Sequence, residues 1–174
     1  MKNKLRLTIV LSVVVIIFII LAKGLFKTNS YVPNSIQYDN FYKFKSKEFY
    51  TNDEFILENL LNRKKFTIIN IWASWCKPCR DEHIFLMNLS KTNGFTIIGI
   101  NYKDKFNNAK KFLNELGNPY EIILKDPNGI KSIELGAYGV PETFILNNEL
   151  KVVIKKYIGP IDKKRLKEIL KLLK

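Results

Sequence analysis

The chain has 174 residues, a formal charge of +13 and two cysteines. That length admits one domain plus an appendage, and so few cysteines exclude a disulfide-rich scaffold. The 25 Lys and 4 Arg are scattered through a chain equally rich in Ile and Asn. We read them as compositional bias and expect no nucleic-acid partner, although a basic surface suits an anionic membrane or an acidic partner.

Lys2, Lys4 and Arg6 precede a segment from Leu7 to Ala22 that is apolar except for Thr8 and Ser12, with Leu25 and Phe26 extending it. This segment is long for a cleaved signal, and Ala22-Lys23-Gly24 is a poor cleavage site. Residues 1–26 therefore read as a signal anchor, a single transmembrane helix. The positive end comes first, which keeps the N-terminus in the cytoplasm and exports the rest. Residues 27–37 read as a linker and 38–174 as the folded domain, the polar stretch to residue 50 being an irregular approach to it.

Residues 54–61 suit a short helix capped by Asn52 or Asp53. Residues 66–72 (Phe-Thr-Ile-Ile-Asn-Ile-Trp) are apolar and β-branched, the pattern of a buried strand. A helix is expected over about 77–91 and a second strand over 95–102. Phe106, Ala109, Phe112, Leu113 and Leu116 share one helical face, and Gly117 and Pro119 end that helix. A third strand is expected over 120–124, then turn chemistry at Asp126-Pro-Asn-Gly129 and an irregular or one-turn helical piece over 130–138. Strands 143–146 and 152–157 form a hairpin across Asn147-Asn148, and Leu166, Ile169, Leu170 and Leu173 mark a terminal amphipathic helix. Alternating strands and helices, then a hairpin and a helix, give an α/β layer fold.

Both cysteines lie in one motif, Trp72-Ala-Ser-Trp-Cys-Lys-Pro-Cys79. A bridge closing so short a loop stabilises little, but it provides a reversible two-electron couple. A strand that delivers Cys-x-x-Cys to the start of a helix is the thioredoxin-type redox arrangement. Metal is disfavoured: a structural zinc takes four ligands, and the chain offers Cys76, Cys79 and His83 without a second pair. Haem attachment requires histidine after the second cysteine, where Arg80 stands. His83 reads as a partly exposed helix residue.

At a helix start Cys76 would be favoured as thiolate and would act as the exposed nucleophile, with Cys79 turned inward to resolve the mixed disulfide. Lys77 places a further positive charge beside Cys76. Pro78 fits a first helical turn, where no N–H is missed. Glu82 follows Cys79 by three residues and shares its face. Partial burial would raise its pKa into the range for acid–base work, against the plainer reading of a surface glutamate.

These words resemble the membrane-anchored, thioredoxin-like proteins of cytochrome c maturation, the DsbE/CcmG type of thiol:disulfide interchange protein. The matching residues are Asn70 to His83, Gly99-Ile-Asn-Tyr-Lys-Asp104, Leu116-Gly-Asn-Pro-Tyr120 and Leu135-Gly-Ala-Tyr-Gly-Val-Pro-Glu-Thr-Phe144. They span roughly residues 38–172. The resemblance implies a thioredoxin-like fold, a central mixed β-sheet flanked by helices, behind the anchor. It implies a domain on the periplasmic side of a bacterial inner membrane. There a DsbD- or CcdA-type membrane donor would keep it reduced, so that it reduces apocytochrome c, or a partner thiol protein, before haem attachment. No cofactor or metal is implied.

Asn70 stands where ordinary thioredoxins carry a buried aspartate that shuttles the resolving proton, and the resemblance marks Glu82 as the active-site acid instead. Val140-Pro141 resembles the cis-proline segment that lies against the cysteines and can pair with an extended substrate. Glu142 beside it is a candidate substrate contact, and Trp75 is expected to cover Cys76 and shape the docking surface. Two readings compete: a broader anchored reductase of the ResA/TlpA kind, and a tethered metal-binding module.

Overall fold

The computed structural model describes residues 2–26 and 37–173. The expected linker, with Pro33, lies outside the described residues apart from Gln37. The chain divides into two compact units, Met1–Asn34 and Ser35–Lys174.

In the first unit Lys2–Phe26 is one helix, α1. Among the described residues no helix is long and apolar enough to cross a membrane.

The second unit has helix α2 (Tyr38–Tyr42), strands β1 (Lys45–Lys47) and β2 (Glu54–Ile56), and helix α3 (Glu58–Leu61). Then follow β3 (Phe66–Trp72), α4 (Lys77–Leu89), β4 (Phe95–Tyr102), α5 (Phe106–Leu116) and β5 (Ile122–Asp126). The chain ends with α6 (Ile130–Glu134), β6 (Glu142–Asn147), β7 (Val152–Ile158) and α7 (Lys163–Leu172). Five strands form one sheet in the order β5-β4-β3-β6-β7. β3, β4 and β5 run parallel, β6 pairs antiparallel with β3 and β7 antiparallel with β6, so the sheet is mixed. Every residue of β3 is buried, as expected of a central strand covered on both faces.

Alternation along β3 divides its side chains between two cores. Ile68 and Trp72 pack with Leu86 and Leu89 of α4, Phe112 of α5 and Ile169 of α7. Ile69 and Ile71 pack on the other face with Phe41 of α2, Leu60 and Leu61 of α3, and Leu135. Burying a Leu, Ile or Phe side chain contributes about 1.5–3 kcal/mol, so this two-sided strand anchors the domain.

The sequence reading erred at 54–61. Residues 54–56 pair antiparallel with β1, and the helix is confined to Glu58–Leu61. Phe49, fully buried, donates its N–H to Ile123 O (2.8 Å) and draws the segment onto the sheet edge, overriding local helix propensity. The stretch before residue 50 is accordingly not irregular but carries α2 and β1. β5 starts two residues later than expected. Elsewhere the expected elements are present within two or three residues.

Candidate active site

β3 ends at Trp72, and α4 begins at Lys77 with Cys76 as its N-cap. Cys76 Sγ accepts the backbone N–H of Cys79 at 3.1 Å, satisfying one of the free donors of the first turn. Pro78 sits in that first turn, where its missing N–H costs nothing. Cys76 and Cys79 are joined as a disulfide, so the structure holds the oxidised form. In this form Cys76 is only 5% exposed, not the open thiol expected from the sequence, and it belongs to the same buried cluster as Ala73 and Cys79. Cys79 is buried as expected.

Trp75, beside it, is 58% exposed and donates its indole N–H to Lys103 O (3.0 Å). It belongs to the surface of the cysteine loop. Asp104 fastens that loop: its carboxylate accepts the N–H of Ser74 (2.5 Å), the Ser74 hydroxyl (2.8 Å) and the Asn101 amide (3.1 Å). The Asn-Tyr-Lys-Asp word singled out in the sequence is thus a clasp on the cysteine loop, a role the sequence reading did not assign. Lys77 aims its ammonium at Asp81 (3.3 Å), one turn on in solvent, rather than at the sulfur.

Glu82 is 1% exposed, deeper than the partial burial expected. It lies on the buried face of α4, one turn after Cys79. Its Oε2 accepts the N–H of Ile161 (2.7 Å) and its Oε1 the amide of Asn70 (2.9 Å). Burial raises its pKa from 4.5 to about 7, while those two bonds and the more distant Arg165 hold it down. Glu82 is therefore a proton-exchanging carboxyl near neutral pH, in the wall of the core that also encloses Cys79. The sequence offered no sign of Ile161, which reaches α4 from the loop after β7.

His83 is buried, not partly exposed. Its Nε2 meets Gly117 O at 2.9 Å, and its ring packs edge-on against Phe112 (4.9 Å). Burial first, then Arg80, lowers its pKa, so it remains a neutral packing group.

Val140–Pro141 is a cis peptide bond. Val140, partly buried, packs against the core that holds both cysteines. Pro141 O accepts from Gly159 N (2.9 Å). Glu142 contradicts its expected place as a substrate contact, being 1% exposed. Its Oε1 accepts the N–H groups of Tyr138 (2.8 Å) and Gly139 (3.0 Å), and its Oε2 pairs with Lys156 at 2.7 Å. The carboxylate is turned inward by these partners and fixes the loop before Pro141. Tyr138, 53% exposed, is what that loop presents to solvent.

Trp75, Cys76, Cys79 and Glu82 thus follow one another from the end of β3 into the first turns of α4, Val140 packs against the core that holds both cysteines, and Glu142 is turned inward as a brace of the loop before Pro141. The Redoxin family pattern matches residues 39–173. The chain belongs to the Redoxin family. It is 47% identical over 104 residues to the thiol:disulfide interchange protein CycY of Rhizobium leguminosarum bv. viciae, covering 60% of this chain and 55% of that protein. It is 40% identical over 105 residues to DsbE of Escherichia coli (strain K12), covering 60% and 56%. The matched region thus spans little more than half the length of these relatives. Among solved structures, MTB DsbF superposes with a TM-score of 0.67 at 20% identity, over 78% of this chain and 98% of that one. A putative DsbE from Chlorobium tepidum superposes at 0.61 with 24% identity, over 75% and 93%. At such identities these two show that the Redoxin chain has the thioredoxin-like fold.

Proposed function

We propose that this protein is a membrane-anchored thiol:disulfide oxidoreductase that reduces disulfides of apocytochrome c, or of a partner thiol protein, during cytochrome c maturation. One observation carries the reading: the Cys76–Cys79 bridge at the start of α4, with the buried, proton-exchanging Glu82 one turn beyond. The similarity to CycY and DsbE thiol:disulfide interchange proteins supports the same chemistry.

In the reduced protein the Cys76 thiolate attacks one sulfur of the target disulfide. A mixed disulfide forms, and the target's other sulfur leaves as thiolate and takes a proton. Cys79 then gives up its proton, which Glu82 is placed to receive, and its thiolate attacks Cys76 Sγ. The bridge seen here forms, the mixed disulfide breaks, and the target leaves as a dithiol. Two electrons have passed to the target, and a DsbD- or CcdA-type membrane donor restores the dithiol. Trp75 and the backbone before Pro141 supply the docking surface for an extended target segment. We place the domain on the periplasmic side of a bacterial inner membrane, held there by residues 1–26.

Rates with insulin and with a disulfide-bonded peptide bearing Cys-x-x-Cys-His test this reading. Faster reduction of the peptide is expected, since exchange requires close approach of Cys76 to one target sulfur and docking filters what can approach. Equal rates on both would remove cytochrome c maturation as the specific role.

A further inference from the structure

Asn70, Tyr120 and Thr143 are polar residues buried at the centre of the domain and unused in the mechanism above. Asn70 lies mid-strand in β3, opposite Gly99 of β4 and Thr143 of β6. Its amide NH2 donates to Glu82 Oε1 (2.9 Å) and to Thr143 Oγ1 (3.0 Å), and its Oδ1 accepts the Tyr120 hydroxyl (2.8 Å). Three of its four hydrogen-bonding capacities are therefore used by three different residues.

We propose that Tyr120 is a positioning residue for Glu82: its hydroxyl fixes the orientation of the Asn70 amide, and that amide holds the carboxylate. The inference rests on the reading of Glu82 as the proton acceptor for Cys79. An amide can turn over at little intrinsic cost, exchanging its oxygen and nitrogen. Turned over, Asn70 would present an oxygen to Glu82, which suits a protonated carboxyl and repels a carboxylate. The Tyr120 O–H, donating to Oδ1, selects the orientation that favours the anion.

Tyr120 is built to do this. Its ring stacks on Trp72 (centroids 5.5 Å apart, planes 17° apart). Its backbone N–H is held by Asn118 Oδ1 (3.0 Å), and the next residue's N–H by Ile97 O (2.8 Å). Gly99 makes the stack possible, since a Cβ there would meet Trp72 Nε1 at 2.8 Å and Tyr120 Cγ at 2.9 Å. Burial, reinforced by Glu82, keeps the phenol's pKa well above its ordinary value, so the hydroxyl remains a donor across the working range. The charged group that acts on Glu82 from another element is Arg165 of α7, which favours the anion, and Cys79 lies one turn earlier on α4. The side-chain hydrogen bonds of Asn70 go instead to Glu82, Thr143 and Tyr120.

The test is the carboxyl titration of Glu82 followed by carbon-13 NMR in the oxidised full-length protein, a readout that needs no activity. Tyr120→Phe removes one hydroxyl and keeps the ring. It should raise the Glu82 midpoint by about half a unit to one unit, three- to tenfold in proton affinity. In an Asn70→Leu background the same substitution should move the midpoint no further. An unmoved midpoint in Tyr120→Phe overturns the proposal, and so does an equal shift with and without Asn70, which would mean that Tyr120 acts directly. Should Tyr120→Phe fail to fold, the wild-type protein still decides. The Tyr120 hydroxyl proton should give a slowly exchanging resonance, and rapid exchange with water would overturn its bond to Asn70. A shifted midpoint with unchanged disulfide-reduction rates would leave the relay standing and refute only the catalytic reading of Glu82.

Discussion

Glu82, on α4 one turn after Cys79, and Glu142, at the start of β6 just after Pro141, are equally buried carboxylates, and their surroundings give them opposite uses. Glu142 sits against Lys156 at 2.7 Å, with two backbone N–H groups on its other oxygen. Lys156 also donates to Gly136 O (2.7 Å) and lies under the Tyr138 ring at 4.2 Å. That arrangement is a fastener: it ties β7 to the loop that delivers Val140 and Pro141. Glu82 has only neutral donors in contact, and without a cation its charge is expensive to bury. A paired carboxylate braces the site, whereas an unpaired one becomes a proton acceptor near neutral pH.

The comparison breaks most visibly at Lys156. Lys156→Met leaves the Glu142 carboxylate buried without its counter-ion, and urea unfolding should show a loss of about 3–5 kcal/mol. Adding Glu142→Gln should recover most of it. A loss below about 1 kcal/mol would mean that the pair is not the brace described here.

Glu82 gives the opposite signature, in pH dependence. Its pKa is held above its unfolded value, so the folded protein binds that proton more tightly than the unfolded chain. Its contribution to stability is therefore full below about 4.5 and lost as pH rises to about 7, on the order of 3 kcal/mol. Glu82→Gln should abolish that slope in the oxidised protein and raise its stability at pH 8. In the reduced protein the same substitution should slow target reduction by roughly a hundredfold. A slope unchanged by the substitution would place the titration elsewhere.

The difference between the two glutamates could not be read from the chain. Glu82 was legible as a site candidate because Cys79 and Glu82 share a helix face, a property of local spacing. Glu142 follows Pro141 directly and read just as readily as a substrate contact. What turned it inward was Lys156, which lies in an alternating strand with nothing to mark it off from Lys155. β3, α4, β4, α5 and the hairpin were legible because period-2 or helical spacing coincided with strong stop signals such as Gly117. The β1–β2 pair was not, since Glu54-Phe-Ile-Leu-Glu carries helix-compatible spacing and contacts distant in sequence, such as Phe49 docking onto β5, decide the outcome. His83 was misread for the same reason: its burial comes from Phe112 and Gly117, distant in sequence.

Asp104 sharpens the comparison as a third, partly exposed carboxylate that works by hydrogen bonds alone. Asp104→Ala strips the acceptor from Ser74 and Asn101, and the loop ahead of Cys76 loses its clasp. The expected loss is about 1–3 kcal/mol in urea unfolding, with no change in the pH slope assigned to Glu82. A change in that slope would mean that the loop and the carboxyl are coupled.

Trp75 carries the smallest stability effect and separates the two glutamates from the docking surface. More than half of its surface is already in water, and its indole N–H makes one bond, to Lys103 O. Trp75→Ala should therefore cost no more than about 1 kcal/mol in unfolding. It should nevertheless slow exchange with an extended disulfide peptide several-fold, because an exposed, rigid aromatic beside the nucleophile offers contact area at little entropic cost. A small thiol reagent, which needs no docking, should react with Cys76 at nearly the wild-type rate. That split follows if target recognition belongs to Trp75 and the segment before Pro141 while Glu82 and Glu142 serve from behind. Equal slowing of peptide and small reagent would instead make Trp75 part of the cysteine's own environment, and the division between a recognition surface and its buried supports would fall.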